Sequence, residues 1–371
     1  MTAVSVVCPV YNRSAALLRT IRSVQEQTLT DWELLLVSDG STDDTSQIVA
    51  KHAADDPRIR WIEHERTGHP SEPRNHGVRQ ACGDVVAYLD HDDAWEPDHL
   101  ATITELLGSD ADLVATGATT IDENGDILRQ TVADDMWWHP DLQALDPLFE
   151  PSRIAHRAGL LQEHDVAWRD PEGLEDWDLL FRLSHRSLTV RTHERRTAVI
   201  TEHSSSRRMG MRPPWFAAWA RSSDPSVLAR LMRLLRRPDT DSRIRLSADE
   251  ARARRIASLS ASPVRPVRPV PACAPSRPDD GTPRRWGPAL SILPVRSGVR
   301  PQYALVRPVY CSGPEHAAAF AAAHACHLAD QHDLLGRLLR QVDPRGAASP
   351  SNPPDMIPWK RIDDRRTKEF R

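Results

Sequence analysis

The chain opens on a β-branched apolar run, Val4 to Val10 (VSVVCPV), and similar runs return at Trp32 to Val37 (WELLLV), Ile59 to Ile62 and Val85 to Leu89 (VVAYL). Runs with no polar alternation fit short strands buried on both faces of a sheet. Between them the apolar period lengthens to that of a helix. Leu17, Leu18, Ile21 and Val24 fall on one stripe behind Ser14, a residue suited to capping. Asp39-Gly40-Ser41-Thr42 makes a turn into a second helix around Asp44 to Ala53, a third is predicted near Glu72 to Ala81 before Gly83, and a fourth from about Pro97 to Leu107. A strand from Leu113 to Ala118 follows, and Asn124-Gly125 marks a hairpin turn.

Strands that alternate with helices predict an α/β fold, a mainly parallel sheet with helices on both faces. Such sheets bind ligands beyond the carboxyl ends of their strands. Three polar clusters stand at those ends: Tyr11-Asn12-Arg13, Asp39-Gly40-Ser41 and Asp90-His91-Asp92-Asp93. Three separated stretches of sequence are therefore expected to meet on one rim.

After Asp126 the pattern loosens. Met136-Trp137-Trp138-His139 reads as an aromatic loop, Gly173 to Arg186 as a helix with Leu179, Leu180 and Leu183 inward, and Thr197 to Thr201 as a strand running into Glu202-His203. Val227 to Arg237 is a short basic amphipathic helix. From about Ser258 to Arg300 the chain is rich in Pro, Arg and Ser, which predicts a linker. Pro314 to Gln341 reads as one Ala- and Leu-rich helix, and the end from Asp343 as polar and loose. The expected division is a domain over 1–210, a helical extension over 211–255, a partly disordered Pro/Arg-rich linker over 256–312, and a tail with one helix over 313–371.

Charge supports a division. Residues 1–250 carry 28 Lys and Arg against 42 Asp and Glu, whereas residues 251–371 carry 20 against 10, so the net sign reverses along the chain. The overall net charge of −4 gives no sign of a nucleic-acid partner, and the Arg/Pro-rich stretch lacks the interleaved aromatics that would change that. Five cysteines without a CxxC pair fit reduced thiols and a cytoplasmic location. No apolar run reaches the roughly 18 residues of a membrane span, and no charged leader precedes the first strand. The basic helix at 227–237 allows a peripheral contact with the inner face of a membrane, although a solvated surface helix is the simpler reading.

The chemistry concentrates in a few acids. Asp90 and Asp92, one residue apart on a strand-to-loop turn, can bring oxygens to one hard cation, Mg²⁺ or Mn²⁺, while Asp93 extends the cluster; the plain alternative is a solvated acidic turn. Asp39 at its rim position can accept hydrogen bonds from a base or ribose, or serve as a simple turn residue. Glu175-Asp176 begins a helix, where acids also suit the dipole. As a functional pair they offer Asp176 as a general base, which an acceptor alcohol needs in order to become a competent nucleophile. Arg74, in EPRNHG, can hold a phosphate or one of the acids, and His203 after its strand can ligate a metal or phosphate.

Taken together and in this order, these segments resemble the inverting family 2 glycosyltransferases of GT-A fold, over about residues 3 to 208. VSVVCPVYNR resembles that family's first strand and nucleotide loop, and LLLVSDGSTDDT its second nucleotide-binding turn. PRNHGVRQACGDVVAYLDHDDAWEPDHL resembles the stretch ending in its DxD motif, and GLEDWDLLFRL its acidic catalytic helix. The resemblance implies that Pro9 and Tyr11 line the base pocket and that Asp39 contacts base or ribose. It implies that Asp90 and Asp92 form the DxD pair, with Asp92 on the metal and Asp90 facing ribose or metal, and that Asp176 is the base. The donor it implies is a nucleotide-sugar, a UDP-sugar by preference, and the acceptor a glycan, a lipid-linked molecule or a small molecule. One departure stands out: where the family often has an acidic pair before the glycine of the second motif, Ser38 precedes Asp39 here.

Two other readings compete. A non-catalytic nucleotide-sugar binding protein on the same fold would be expected to have lost the base or the metal pair, yet Asp92 and Asp176 are both present. A nucleotidyltransferase should carry a Gly- and Arg/Lys-rich phosphate loop near its first strand, where this chain has Pro9-Val10-Tyr11-Asn12.

Overall fold

The structure is a computed structural model, and it describes residues 3–145, 147–169, 174–203, 215–235, 256–257, 267, 291–295, 302–325, 329–344, 346 and 348–361. The chain forms two compact units. The first comprises residues 1–143, 147–210 and 264–280; the second comprises 144–146, 211–263 and 281–371.

In the first unit the elements run β1 (Val4–Val10), α1 (Ser14–Gln25), β2 (Trp32–Ser38), α2 (Thr45–Asp55), β3 (Ile59–Ile62), α3 (Ser71–Gln80), β4 (Val85–Tyr88), β5 (Ala94–Trp95), α4 (His99–Leu107), β6 (Leu113–Asp122) and β7 (Ile127–Gln130). They continue through α5 (Pro140–Leu145), β8 (Ile154–Arg157), α6 (Leu160–Glu163), α7 (Glu175–Ser184) and β9 (Val190–Glu202). The sheet order is β3-β2-β1-β4-β8-β6-β9-β5, with β7 hairpinned onto β6. Strands β3, β2, β1 and β4 are parallel, as are β6 and β9; β8 lies antiparallel between β4 and β6, and β5 is antiparallel to β9.

The continuous apolar runs are buried on both faces, as their composition requires. One face of the sheet offers Val6, Cys8, Leu34 and Leu36 to Leu17 and Ile21 of α1, Val49 of α2, and Leu100 and Ile103 of α4. The opposite face takes α3. That helix sits so close that a Cβ on Gly77 would lie 2.4 Å from Val7 Cγ1 and 3.3 Å from Val37 Cγ2. Ser14 makes no capping bond; it is the first helical residue, and Arg13 holds the cap position.

The second unit contains β10 (Trp215–Ser222), α8 (Pro225–Leu235), β11 (Ser291–Val295), β12 (Gln302–Val309), α9 (Pro314–Ala325), α10 (Ala329–Val342) and β13 (Ala348–Pro358). Its sheet runs β11-β12-β10-β13 and is antiparallel throughout. With α9 and α10 counted as one helical segment, the succession β-α-β-β-α-β in this spatial order is the ferredoxin-like split βαβ arrangement. Trp219 and Leu305 on one face of the sheet pack with Leu228 and Leu231 of α8 and Leu335 and Leu339 of α10.

This organisation departs from the sequence reading of the C-terminal part. Strands stand within the stretch expected to be a linker and in the end expected to be loose, while helix over 314–325 and 329–342 occupies the stretch expected to be helical. Proline hid the strands. Pro294 lies in β11 and Pro350 in β13, both edge strands, where a missing N–H costs no ladder bond on the solvent side. In α8, Val227, Leu228 and Leu231 are core residues, Leu234 and Leu235 are half-buried, and Arg230 donates to the Val342 carbonyl. Most of the Pro/Arg-rich stretch lies outside the described residues. No helix among the described residues is long and apolar enough to cross a membrane.

Candidate active site

The carboxyl ends of β1, β2 and β4 gather the expected clusters on one rim. Pro9 is buried in β1 opposite Val37, and Tyr11 stands just beyond the strand, partly exposed. Asn12 holds that corner. It adopts φ 43°, a left-handed conformation that asparagine tolerates, and its Oδ1 accepts the Thr42 N–H at 2.8 Å, while its own N–H donates to Ser41 Oγ at 3.3 Å. The loops after β1 and β2 are thereby tied together.

Asp39 follows β2 and is buried. Its Oδ1 accepts the N–H and Oγ–H of Thr67, at 2.7 and 2.6 Å, and its Oδ2 accepts Arg66 Nη1 at 2.7 Å and the Gly68 N–H at 2.9 Å. An ionised carboxylate has about four acceptor positions, so the loop 66–68 engages all of them. Neither Arg66 nor Thr67 was singled out from the sequence; both lie in a polar loop some 27 residues away, and nothing in the pattern ties them to Asp39.

The turn after β4 separates its acids by burial. Asp90 and Asp92 keep part of their side-chain surface, whereas Asp93 is buried. Asp93 Oδ2 accepts the Ser152 hydroxyl at 2.6 Å and its Oδ1 accepts the Thr201 N–H at 2.9 Å, while Ser152 Oγ accepts the Asp90 N–H at 3.0 Å. Asp93 thus fastens the turn to the short 3₁₀ turn Pro151–Arg153 and to the end of β9. Burial, and then the charges of Asp92 and Asp90, push its carboxyl well above the usual carboxylate range.

The end of β9 brings His203 to this turn. Its Nε2 lies 3.4 Å from Asp92 Oδ2, buried and without a hydrogen-bond partner, while its Nδ1 is 2.9 Å from Glu123 Oε1. Two atoms bound to one small divalent cation stand about 3 Å apart; the carboxylate suits Mg²⁺ or Mn²⁺, and the imidazole favours the softer Mn²⁺ of the two. The residues therefore fit a cation that draws its other ligands from water and a bound phosphate. Among the described residues no three His, Cys, Asp or Glu side chains form a ready cage.

Arg74 is in the interior of this region rather than on its surface. The side chain is 2% exposed, with Nη2 donating to Asp90 Oδ1 at 2.6 Å and Nη1 to Glu175 Oε1 at 3.3 Å, and its guanidinium carbon 4.5 Å from the centre of the Trp168 ring. Burial works against its charge, but Asp90, Glu175 and then Asp176 outweigh that, and the guanidinium is held charged. Of the two options open in the sequence, phosphate or acid, Arg74 takes the acids. It links the DxD turn to the first turn of α7, where Glu175 also lies 3.5 Å from His69 Nε2. Asn75 clamps Trp168 through both directions of its backbone, at 2.8 and 2.9 Å. Asp176 beside Glu175 is 1% exposed, and its Oδ1 accepts the Trp177 N–H.

Residues 5–165 match the model of glycosyl transferase family 2. Over that stretch the chain is similar to the family 2 glycosyltransferases. The match begins in β1 and takes in Asp39, Arg74 and the DxD turn; α7 and His203 follow it. The chain is 36% identical to the chondroitin synthase of Escherichia coli over 127 residues, which cover 34% of this chain and 18% of that protein. It is 35% identical to a GalNAc(5)-diNAcBac-PP-undecaprenol beta-1,3-glucosyltransferase of Campylobacter jejuni over 107 residues, 28% of this chain and 34% of that one. The chain thus spans only a minor part of either relative's length. Among solved structures, S. aureus TarS 1-349 in complex with UDP-GlcNAc superposes with a TM-score of 0.49 at 18% identity, covering 70% of this chain and 73% of that chain. The matched stretch lies in the first unit, whose sheet is parallel through β3, β2, β1 and β4 with helices on both faces.

Proposed function

We propose that the first unit transfers a glycosyl group from a nucleoside diphosphate sugar to an acceptor hydroxyl by a single inverting displacement. The observation that carries this reading is the convergence at one rim of the Asp92–His203 pair and the Asp90–Arg74–Glu175 bridge, in a unit whose residues 5–165 match the family 2 model. Asp176 takes the proton of the acceptor hydroxyl as its oxygen bonds to the anomeric carbon, and the nucleoside diphosphate leaves with the electron pair of the breaking C–O bond. Asp92 and His203 would hold Mg²⁺ or Mn²⁺, with Asp90 facing the ribose or the same cation. A cation there supplies positive charge against the departing diphosphate. Pro9, Tyr11 and Asp39 form the base end of the donor pocket. Arg74 keeps two carboxylates, on separate elements, at a fixed spacing. The two relatives are named for building chondroitin and for glucosylating an undecaprenol-linked glycan, which favours a glycan or lipid-linked acceptor here.

Titration calorimetry of the full chain with UDP, GDP and dTDP, each with and without Mn²⁺, tests the reading. One nucleotide should bind in a Mn²⁺-dependent manner, and Asp92→Asn should abolish that dependence. Asp176→Asn should bind the nucleotide normally yet slow turnover of the cognate donor by about 10²-fold or more. A folded sample that binds none of the three would overturn the reading; normal turnover by Asp176→Asn would remove that residue from its role.

A further inference from the structure

One side chain occupies the space between Tyr11 and Asp39. The guanidinium carbon of Arg66 lies 3.3 Å from the centre of the Tyr11 ring, a cation–π stack. Its Nη1 donates to Asp39 Oδ2 at 2.7 Å and to the Asp39 carbonyl at 3.2 Å. The backbone is shaped to let Arg66 in. Gly40 has φ +68°, and a Cβ on it would stand 2.9 Å from Arg66 Cβ, so a larger residue there would push the arginine away. Of the four donors on the Asp39 carboxylate, three are backbone N–H groups or a hydroxyl fixed within residues 67–68. The fourth belongs to a long side chain that is 45% exposed and free to swing out.

We infer that Arg66 is a resident stand-in for the donor's nucleobase, and that binding requires a base able to replace both of its contacts. This rests on the donor-pocket reading above and goes further by naming the class of base. A guanidinium is flat, comparable in width to a pyrimidine edge, and offers an N–H in its plane. A base that displaces it must stack on Tyr11 and donate an N–H to Asp39 Oδ2, because a buried carboxylate that loses a donor and gains none is costly. Uracil and thymine carry such a donor at N3, and guanine at N1 and its exocyclic amine. Cytosine turns a lone pair at N3 toward the same oxygen and can offer only its exocyclic amine, from the edge of the ring, so it replaces the guanidinium less well. The pocket therefore selects bases with a ring N–H flanked by a carbonyl, and Arg66 lowers the affinity for all of them by competing from within.

The test is calorimetry of UDP, GDP and CDP with the full wild-type chain, Arg66→Ala and Arg66→Gln, in Mn²⁺, beside thermal melts that confirm folding. Removing one cation–π contact and one half-buried ion pair from the free state should tighten binding of the preferred nucleotide about five- to twentyfold. CDP should stay the weakest ligand of every variant. In the wild-type chain the Arg66 Nε–Hε NMR signal, identified by its loss in Arg66→Ala, should carry a ring-current shift that disappears when the nucleotide saturates the site. Wild-type binding that weakens or stays unchanged in both variants would overturn the inference while leaving the donor site in place, and so would CDP binding as well as UDP. No nucleotide binding by any of the three chains would overturn the donor-pocket reading, and this inference with it.

Discussion

In the turn after β4, three carboxylates within four residues differ mainly in how much water each retains. Asp90 and Asp92 keep some and face the rim; Asp93 has almost none and serves as an internal fastener between Ser152 and Thr201. The same principle governs His99. Burial lowers it to about 3, its ring stacks on Trp95 at 4.2 Å, and its Nδ1 is 2.7 Å from Thr197 Oγ1. A histidine held neutral in the fold but free to protonate when unfolded makes the unfolded chain the greater proton binder below about pH 6.5, so stability is full above that pH and falls with acidification until the folded value is reached. The loss from this residue should be about 2 kcal/mol at pH 5 relative to pH 8. Melting temperatures measured from pH 8 to pH 5 check it: His99→Phe should flatten the acid limb, and an unchanged slope would show that other groups set the pH dependence.

At the scale of elements, α3 connects the sheet to the site. It approaches β1 and β2 through Gly77, and one turn earlier it carries Arg74 and Asn75, which hold Asp90, Glu175 and Trp168. Gly77→Val must lift the helix from Val7 and Val37. Overpacking of this kind typically costs about 1–3 kcal/mol, and here it would also displace Arg74 from its two acids. The expected result is a folded protein with a lower melting temperature and much-reduced donor turnover; full activity would show that Arg74 does not set the geometry. The elements around this contact were legible in the sequence because β1, β2 and β4 are uninterrupted apolar runs, each followed at its carboxyl end by a polar cluster. What joins them was not. Arg66 to Asp39, Ser152 to Asp93 and Arg74 to Glu175 are contacts 27, 59 and 101 residues apart, and no local period records such pairings. Among Asp90, Asp92 and Asp93 the residue type was visible, but burial assigns the tasks, and burial depends on β8 and β9 arriving from far along the chain.

At the scale of the whole chain, the second unit is built from strands on both sides of the Pro/Arg-rich stretch. β10 is a central strand, and both of its partners, β12 and β13, come from beyond residue 300. A chain cut after residue 255 would keep β10 and α8 while losing the other three strands. Phe216, Trp219, Leu228 and Leu231, all buried in the intact protein, would then lose the partner strands and α10 that cover them, and β10 would present two unpaired edges. A cut after residue 210 removes β10 and α8 as well and leaves the nine-stranded sheet whole; from the first unit it takes only the distal segment 264–280, which the backbone bridge between Val267 and Trp138 joins to it. The expected outcome is therefore opposite to what chain length alone suggests: the shorter chain, 1–210, should be the monodisperse one, and 1–255 should associate and bind hydrophobic dye. Size-exclusion chromatography and thermal melts of the two side by side decide the matter. If 1–255 is as monomeric and as stable as 1–210, then β10 and α8 do not depend on β12 and β13, and the division of the chain into these two units fails.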